Sequence, residues 1–101
     1  MELTGKQKAH LRGLAHDKNA VVFVGKEGAS EAVIRKAGLE LEAHELIKAR
    51  VGDGCEGSAA EIAAAIALGT NAAVVQVIGH TFSLYRRRKK KPEIVLPVPN
   101  D

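Results

Sequence analysis

The pattern of hydrophobic and polar residues along the chain predicts seven elements of regular structure. Segments with apolar residues on one side of a helix alternate with short runs rich in valine, isoleucine and other strand-forming residues. In chain order these are a helix at residues 5–15, a strand at 20–24, a helix at 30–43, a strand at 45–51, a helix at 58–69, and strands at 72–78 and 81–86. This order predicts an α/β (α+β) fold, a compact single domain with a mixed four-stranded sheet.

The starts of two predicted helices carry a recognisable signal. Thr4 is followed three residues later by Gln7, and Ser58 is followed at the same spacing by Glu61. At this spacing the side chain of each partner can bond the backbone N–H of the other, which is the arrangement of a capping box. The first and third helices should therefore begin directly after Thr4 and Ser58.

The predicted strands differ in how much of each should be buried. Residues 20–24 are apolar without alternation, which is typical of a strand covered on both faces. Residues 45–51 alternate, so one face of that strand should lie partly in water. A glycine-first link, Gly79-His80, is typical of a type II′ hairpin between the last two strands. Residues 93–97 are a candidate for a short additional strand at the sheet edge.

Length and composition favour one soluble domain. The 101 residues divide into a domain at 1–97 and a tail at 98–101 that we expect to be frayed. Cys55 is the single cysteine, so no disulfide can form within the chain. No apolar stretch approaches the ~20 residues of a membrane-spanning helix, and the first residues lack the apolar core of a secretory leader. We therefore expect a cytoplasmic protein.

Charge is distributed unevenly along the chain. The formal net charge is +3, but residues 1–26 carry +3, residues 27–85 carry −4 and residues 86–101 carry +4. Two basic ends around an acidic middle predict a polarised surface if the ends meet in space.

The tetrapeptide Gly25-Lys26-Glu27-Gly28 follows the second predicted element and precedes a helix that Ser30 can cap. It matches neither the dinucleotide fingerprint nor the nucleoside triphosphate loop. A G-x-x-G loop clamps the backbone of single-stranded nucleotides in KH domains, and a helix N-terminus favours anions. Glu27 repels phosphate and Lys26 offsets it. We expect alanine at both glycines to weaken nucleic-acid binding without disturbing the fold.

Further cations lie in the first helix and in the run RRRKKK at residues 86–91. Such a run is typical either of polyanion binding or of a solubilising or targeting tail, and cations on a helix are often simply a solvated face. Aromatic residues make up only 3% of the chain, so base stacking should not be the main mode of recognition, although Tyr85 could stack one base.

The sequence gives no pattern that indicates catalysis. Cys55 lies in a glycine-rich loop without a local activating group, and the four histidines show no metal-ligand spacing on a common element. We therefore expect a protein that is not an enzyme and that needs neither a metal nor another cofactor.

Four segments together resemble a known family. They are LTGKQKAHLRGLAH at residues 3–16, VVFVGKEGAS at 21–30, HELIKARV at 44–51 and VQVIGHTFSLYR at 75–86. In this order and spacing they resemble the CRM domain family (chloroplast RNA splicing and ribosome maturation), in its stand-alone bacterial YhbY-like form. The chain departs from the family pattern at His80, where a lysine is expected, and in the glycine-rich loop at residues 52–57.

The resemblance implies an RNA-binding domain similar in fold to the C-terminal domain of translation initiation factor three. Bacterial members of the family are associated with precursors of the large ribosomal subunit. The family's G-x-x-G loop falls on residues 25–28, its basic first helix on Lys6, Lys8 and Arg12, and its LYR ending on residues 84–86.

These observations lead to one functional hypothesis and one alternative. We expect a monomeric RNA-binding protein that assists assembly of the large ribosomal subunit and contacts precursor ribosomal RNA mainly through phosphates, with no membrane or small-molecule partner. The alternative is an adaptor that docks on a ribosomal protein or assembly factor through its acidic middle. The residues expected to bind RNA are Gly25, Lys26, Glu27, Gly28, Lys6, Lys8, Arg12, Tyr85, Arg86, Arg87, Arg88, Lys89, Lys90 and Lys91.

Overall fold

The computed structural model describes residues 2–98 and contains the predicted elements in the predicted order. Their bounds are α1 Gly5–Ala15, β1 Ala20–Val24, α2 Glu31–His44, β2 Leu46–Val51, α3 Ala59–Thr70, β3 Ala73–Ile78 and β4 Thr81–Tyr85. Both predicted capping boxes are formed, at the starts of α1 and α3. The predicted frayed tail lies outside the described residues except for Val98, which is exposed.

The four strands form one mixed sheet, as predicted, and the structure places them in the order β1-β2-β4-β3. β1 runs parallel to β2, whereas β4 is antiparallel to both of its neighbours. The short link between β3 and β4 pairs Ile78 with Thr81, and Gly79 adopts a φ of 56°. That conformation suits the first position of a type II′ turn and favours glycine.

The larger part of the core lies on the face of the sheet that α2 and α3 cover. Buried residues of β1, β2 and β4 pack there against both helices. Burial of this apolar face is the main driving force for the compact fold. The set includes Val22, Val24, Ala37, Leu41, Ile47, Ala49, Val51, Ile62, Ile66, Phe82 and Leu84.

A smaller core lies on the opposite face, beneath α1. Leu11 and Ala15 of the helix pack with Leu46, Val75 and Tyr85 of the sheet. Leu3, Ile94 and Leu96 pack against this cluster from the two ends of the chain. The two ends of the chain therefore meet in space, which was the condition for the predicted polarised surface.

The candidate strand at residues 93–97 is not formed; residues 92–98 belong to no helix or strand. The N–H groups of Glu93 and Ile94 donate instead to a side chain, the carboxylate of Glu45, at 2.7 and 2.9 Å. Pro92 and Pro97 carry no N–H group and could not donate to a ladder. A carboxylate therefore holds the segment in the place of a neighbouring strand.

The prediction that β1 is covered on both faces was wrong. Val22 and Val24 are buried beneath α2, but Phe23, which points the other way, is 67% exposed. β1 is one of the two edge strands of the sheet, and α1 packs on β2, β3 and β4. One face of β1 is therefore open.

No helix among residues 2–98 combines the length and the hydrophobicity that crossing a membrane requires.

Candidate nucleic-acid interface

The G-x-x-G loop is a tight turn at the carboxyl end of β1. Gly28 N–H donates to the Gly25 carbonyl at 3.0 Å, and Ser30 N–H donates to the Gly28 carbonyl at 2.8 Å. Lys26 and Glu27 are exposed at its tip. Across the described part of the chain, neither of their N–H groups has a protein acceptor. The turn thus presents two unpaired backbone donors to the surroundings, which is what an oxygen-rich ligand requires.

The two glycines of this loop are not equivalent. A Cβ atom on Gly25 would meet nothing within 4 Å. Gly28 is buried, has a φ of 67°, and a Cβ there would lie 3.3 Å from Cδ1 of Ile62. The expectation that both positions accept alanine without disturbing the fold is therefore wrong for Gly28, because an L-residue is strained at that φ.

The helix that follows the loop adds a favourable electrostatic end. The Ser30 hydroxyl accepts from the Val33 N–H at 3.3 Å, so Ser30 caps α2 as the sequence predicts. The positive end of the helix dipole thus lies two residues beyond Gly28. Glu31, in the first turn of α2, offsets part of this field.

The glycine-rich loop at residues 52–57 lies directly beside the G-x-x-G loop. Gly52 N–H donates to the Val24 carbonyl at 2.8 Å, and a Cβ on Gly54 would be 3.7 Å from Cβ of Lys26. The two loops are therefore in contact, and a Cβ at Gly52 or Gly54 would make only an ordinary van der Waals contact. The same loop brings the exposed Asp53 and Glu56 near the tip, so the local charge here is mixed.

The cations of α1 lie on different parts of the surface. Lys8 is half-buried beside a groove formed with α3 and β3 residues such as Leu68 and Val74. Arg12 lines a groove over the sheet with His16, Lys48, Gln76 and Ser83 among others. Lys6 is exposed at the start of the helix. Arg12 is thus the α1 cation that the structure places over the uncovered part of the sheet.

Arg86 at the start of the basic run is a structural residue. Its guanidinium donates to the carbonyl of Thr70 at 2.7 Å and to that of Gly38 at 3.2 Å, and it bonds the Glu42 carboxylate at 3.3 Å. These contacts join β4 to α2 and to the last residue of α3. The Thr70 bond satisfies a carbonyl that has no partner within its own helix.

Arg88 has a similar structural role. It donates to the carbonyls of Ala43 at 2.7 Å and Lys91 at 3.0 Å, and it pairs with Glu93 at 2.9 Å. Its side chain is only 16% exposed. The prediction that all six cations of the run are available to RNA is therefore contradicted for Arg86 and Arg88, whose donors are engaged within the protein. Arg87, Lys89, Lys90 and Lys91 are exposed.

A buried carboxylate holds this part of the chain in place. Glu45 is 1% exposed, and its three bonds to backbone N–H groups come from Arg88 at 3.1 Å and from Glu93 and Ile94. Burial alone would raise the pKa of the Glu45 carboxyl, but these three bonds and the Arg88 charge outweigh it, so that the pKa lies below its usual value. We call residues 86–98 the C-terminal strap.

Tyr85 cannot stack a base in this structure, which contradicts that part of the predicted site. The residue is 1% exposed and packs with Leu11 and Val75 under α1. Burial raises the pKa of the Tyr85 phenol, the negative charge of Glu45 raises it further, and Arg87 partly opposes them. The ring belongs to the smaller core.

The strap and the G-x-x-G loop lie at opposite ends of the sheet. Leu46 at the start of β2 pairs with Tyr85, whereas Val51 at its end pairs with Val24. The loop follows Val24 and the strap follows Tyr85, so about 17 Å of strand separates them at 3.3 Å per residue. The predicted site is therefore two basic regions rather than one continuous patch.

The open face of the sheet carries residues that were not part of the site predicted from the sequence. Lys48 and Arg50 point to that face from β2, and the alternation at residues 45–51 already indicated that they approach water. Phe23 gave no such signal, because an uninterrupted apolar run does not reveal which of its residues face outward. Among residues 2–98, no three or more His, Cys, Asp or Glu side chains are grouped so that they could hold a metal ion.

Comparisons with known proteins are consistent across sequence and structure. The model of the CRS1 / YhbY (CRM) domain matches residues 3–86. The probable RNA-binding protein YqeI of Bacillus subtilis is 41% identical over 95 residues, which cover 94% of this chain and 99% of the relative. An RNA-binding protein of Haemophilus influenzae is 42% identical over 95 residues, with 94% and 95% of the two chains covered.

A solved structure also matches. The solution structure of a Staphylococcus aureus protein, 40% identical to this chain, superposes with a TM-score of 0.82 over 95% of this chain and 100% of that one. The resemblance identified from four sequence segments is thus confirmed by independent matches that span nearly the whole chain. The chain belongs to the CRS1 / YhbY (CRM) domain family.

Proposed function

We propose that this protein binds RNA, mainly through the phosphate backbone. The observation that carries the proposal is the G-x-x-G turn, whose tip presents the unpaired N–H groups of Lys26 and Glu27 beside the capped N-terminus of α2. Backbone donors and a helix N-terminus together favour a phosphate oxygen. Relatives named as RNA-binding proteins, aligned over nearly their whole length, support the proposal.

Two regions supply the positive charge. Near the loop, Lys26 and Arg50 offset the acids at the tip, and Arg12 adds positive charge in the groove over the sheet; at the other end of the sheet, the strap offers its exposed cations. Because contacts between cations and phosphates release counterions, affinity should depend strongly on salt. The two regions are separated by the length of a strand. They therefore suit an extended RNA segment that crosses the sheet better than they suit a single bound nucleotide. This arrangement positions a backbone and does not by itself specify a sequence.

We further propose that the RNA is a precursor of large-subunit ribosomal RNA and that binding assists assembly of that subunit. The support here is the behaviour expected of bacterial members of the family, not a feature of the site. Crosslinking in cells, followed by sequencing of the attached RNA, tests it directly. Enrichment of large-subunit precursor sequences is expected, and enrichment of unrelated messages alone would overturn it.

Sedimentation of extracts from the same cells, before and after digestion of the RNA, distinguishes RNA binding from the adaptor alternative. The protein should sediment with assembling particles and leave them when RNA is digested, because its contacts are to phosphates. A protein adaptor would stay bound to its protein partner after complete digestion of the RNA.

A further inference from the structure

The face of the sheet opposite α2 and α3 is covered at one end and open at the other. At the covered end, Leu46 and Tyr85 pair across β2 and β4 beneath α1. At the other end, Cα pairing aligns one residue from each strand in a single row across the sheet. This open row consists of Phe23, Arg50, Thr81 and Ile78.

The open row exposes two large apolar side chains on the two edge strands of the sheet. Phe23 on β1 is 67% exposed and Ile78 on β3 is 61% exposed, and Arg50 on β2, between these two strands, is also exposed. The other two aromatic residues, Phe82 and Tyr85, are each 1% exposed. Phe23 also lies on an edge strand, where an exposed apolar residue promotes association between sheets unless it has a ligand of its own.

The charges around the row identify the class of ligand. The groove that leads from the row towards α1 is lined by Arg12, His16 and Lys48 together with uncharged residues, and no acidic side chain lines it. A planar ring beside cations on an open sheet is the arrangement that binds an unpaired base and its phosphate. The absence of lining acids favours a polyanion over a protein partner of mixed charge.

The row is also close to the proposed phosphate contact. Phe23 precedes Gly25 by two residues, which is about 7 Å along an extended chain. RNA whose phosphate lies against the turn therefore has a neighbouring base within reach of the Phe23 ring.

We propose that the open row is a base-stacking platform, on which Phe23 stacks one unpaired RNA base and Arg50 binds the phosphate next to it. This inference rests on the proposed RNA-binding function and assigns it a second kind of contact. Backbone binding at the turn fixes the path of the RNA, and the platform requires that the base beside it be unpaired.

The test compares two short RNAs of equal length and charge, one unstructured oligonucleotide and one with the same backbone but abasic sugars. Phe23→Leu should weaken binding of the first about 10-fold, because stacking contributes about 1–3 kcal/mol per base. It should leave binding of the abasic RNA unchanged. Phe23→Tyr, which keeps a planar ring, should restore the affinity of the wild type.

Arg50→Gln is the second variant, and it should weaken both RNAs because it removes a phosphate contact. It should also lower the slope of log affinity against log salt by about 0.7 to 1. Phe23 and Arg50 are exposed, so both variants should retain the thermal unfolding midpoint of the wild type, which is measured in parallel.

The outcomes separate the two proposals. Equal loss of both RNAs in Phe23→Leu, or no loss of either, would overturn the platform while RNA binding stands. If the wild-type protein binds neither RNA, the proposed function itself fails and the platform fails with it.

Discussion

Glu45 accepts a backbone hydrogen bond from Ile94, 49 residues further along the chain, through a carboxylate that is almost completely buried. The same oxygen atom also accepts from Glu93 N–H, and the other oxygen accepts from Arg88 N–H. One side chain at the end of α2 thus fixes the course of the C-terminal strap, and with it the position of the exposed cations that precede Pro92.

Glu45→Gln should destabilise the fold by about 2–4 kcal/mol, because hydrogen bonds to a charged acceptor contribute about 1.5–3 kcal/mol. In addition, the NH2 group that replaces Oε2 would face the Arg88 N–H, so that two donors would oppose each other. Urea unfolding measures the change. Glu42→Gln is the matched control, because Glu42 is an exposed partner of Arg86 and its loss should cost at most about 1 kcal/mol. Equal effects of the two changes would contradict a special role for Glu45.

The same carboxylate should make stability depend on pH. Its pKa in the folded protein lies below the usual value, so its contribution is fully present above the pKa of the unfolded chain, about 4.3, and is lost as pH falls through the folded value. The stability difference between wild type and Glu45→Gln should therefore shrink as pH is lowered from 7 to 3. Urea midpoints across that range test this, and a constant difference would contradict it.

The cations of the strap should separate into structural and binding residues. Arg88→Gln removes bonds to Ala43 and Lys91 and the pair with Glu93, so it should lower the free energy of unfolding by about 1–3 kcal/mol. Lys90→Gln, at an exposed position, should leave stability unchanged but weaken RNA binding and reduce its salt dependence. Denaturation and RNA titration of both variants provide the comparison; loss of stability in Lys90→Gln would refute the assignment.

The glycines of the G-x-x-G loop should respond differently to alanine. Gly25→Ala meets open space and should keep the stability of the wild type, while the added methyl group obstructs close approach of a phosphate and weakens RNA binding. Gly28→Ala should cost about 1 kcal/mol or more in stability because of its positive φ and the contact with Ile62. Thermal unfolding with RNA titration distinguishes them. Unchanged RNA affinity in the folded Gly25→Ala variant would remove the loop from the site.

Local signals in the sequence were sufficient to predict the elements and their order. Thr4 and Ser58 cap helices as expected, because capping depends on residues three positions apart. The hairpin at Gly79 is equally local.

Properties that depend on distant contacts could not be predicted in this way. Phe23 is exposed because α1 packs on the other three strands, and Tyr85 is buried because α1 and the strap cover it. The roles of Arg86 and Arg88 arise from helix ends that lie more than 15 and 40 residues earlier in the chain. A run of six cations looks uniform in sequence. Only the fold distinguishes the cations whose side chains are hydrogen-bonded within the protein from the cations that are exposed.

Binding through phosphates is tested most sharply by the affinity of the wild-type protein for a single-stranded fragment of large-subunit precursor RNA over a series of salt concentrations. If phosphates dominate binding, log affinity should fall linearly with log salt, with a slope of about −0.7 for each phosphate contacted and about −3 to −5 in total. The slope should become shallower in Lys90→Gln. An affinity that stays constant between low and moderate salt would contradict the central claim that this protein holds RNA by its backbone.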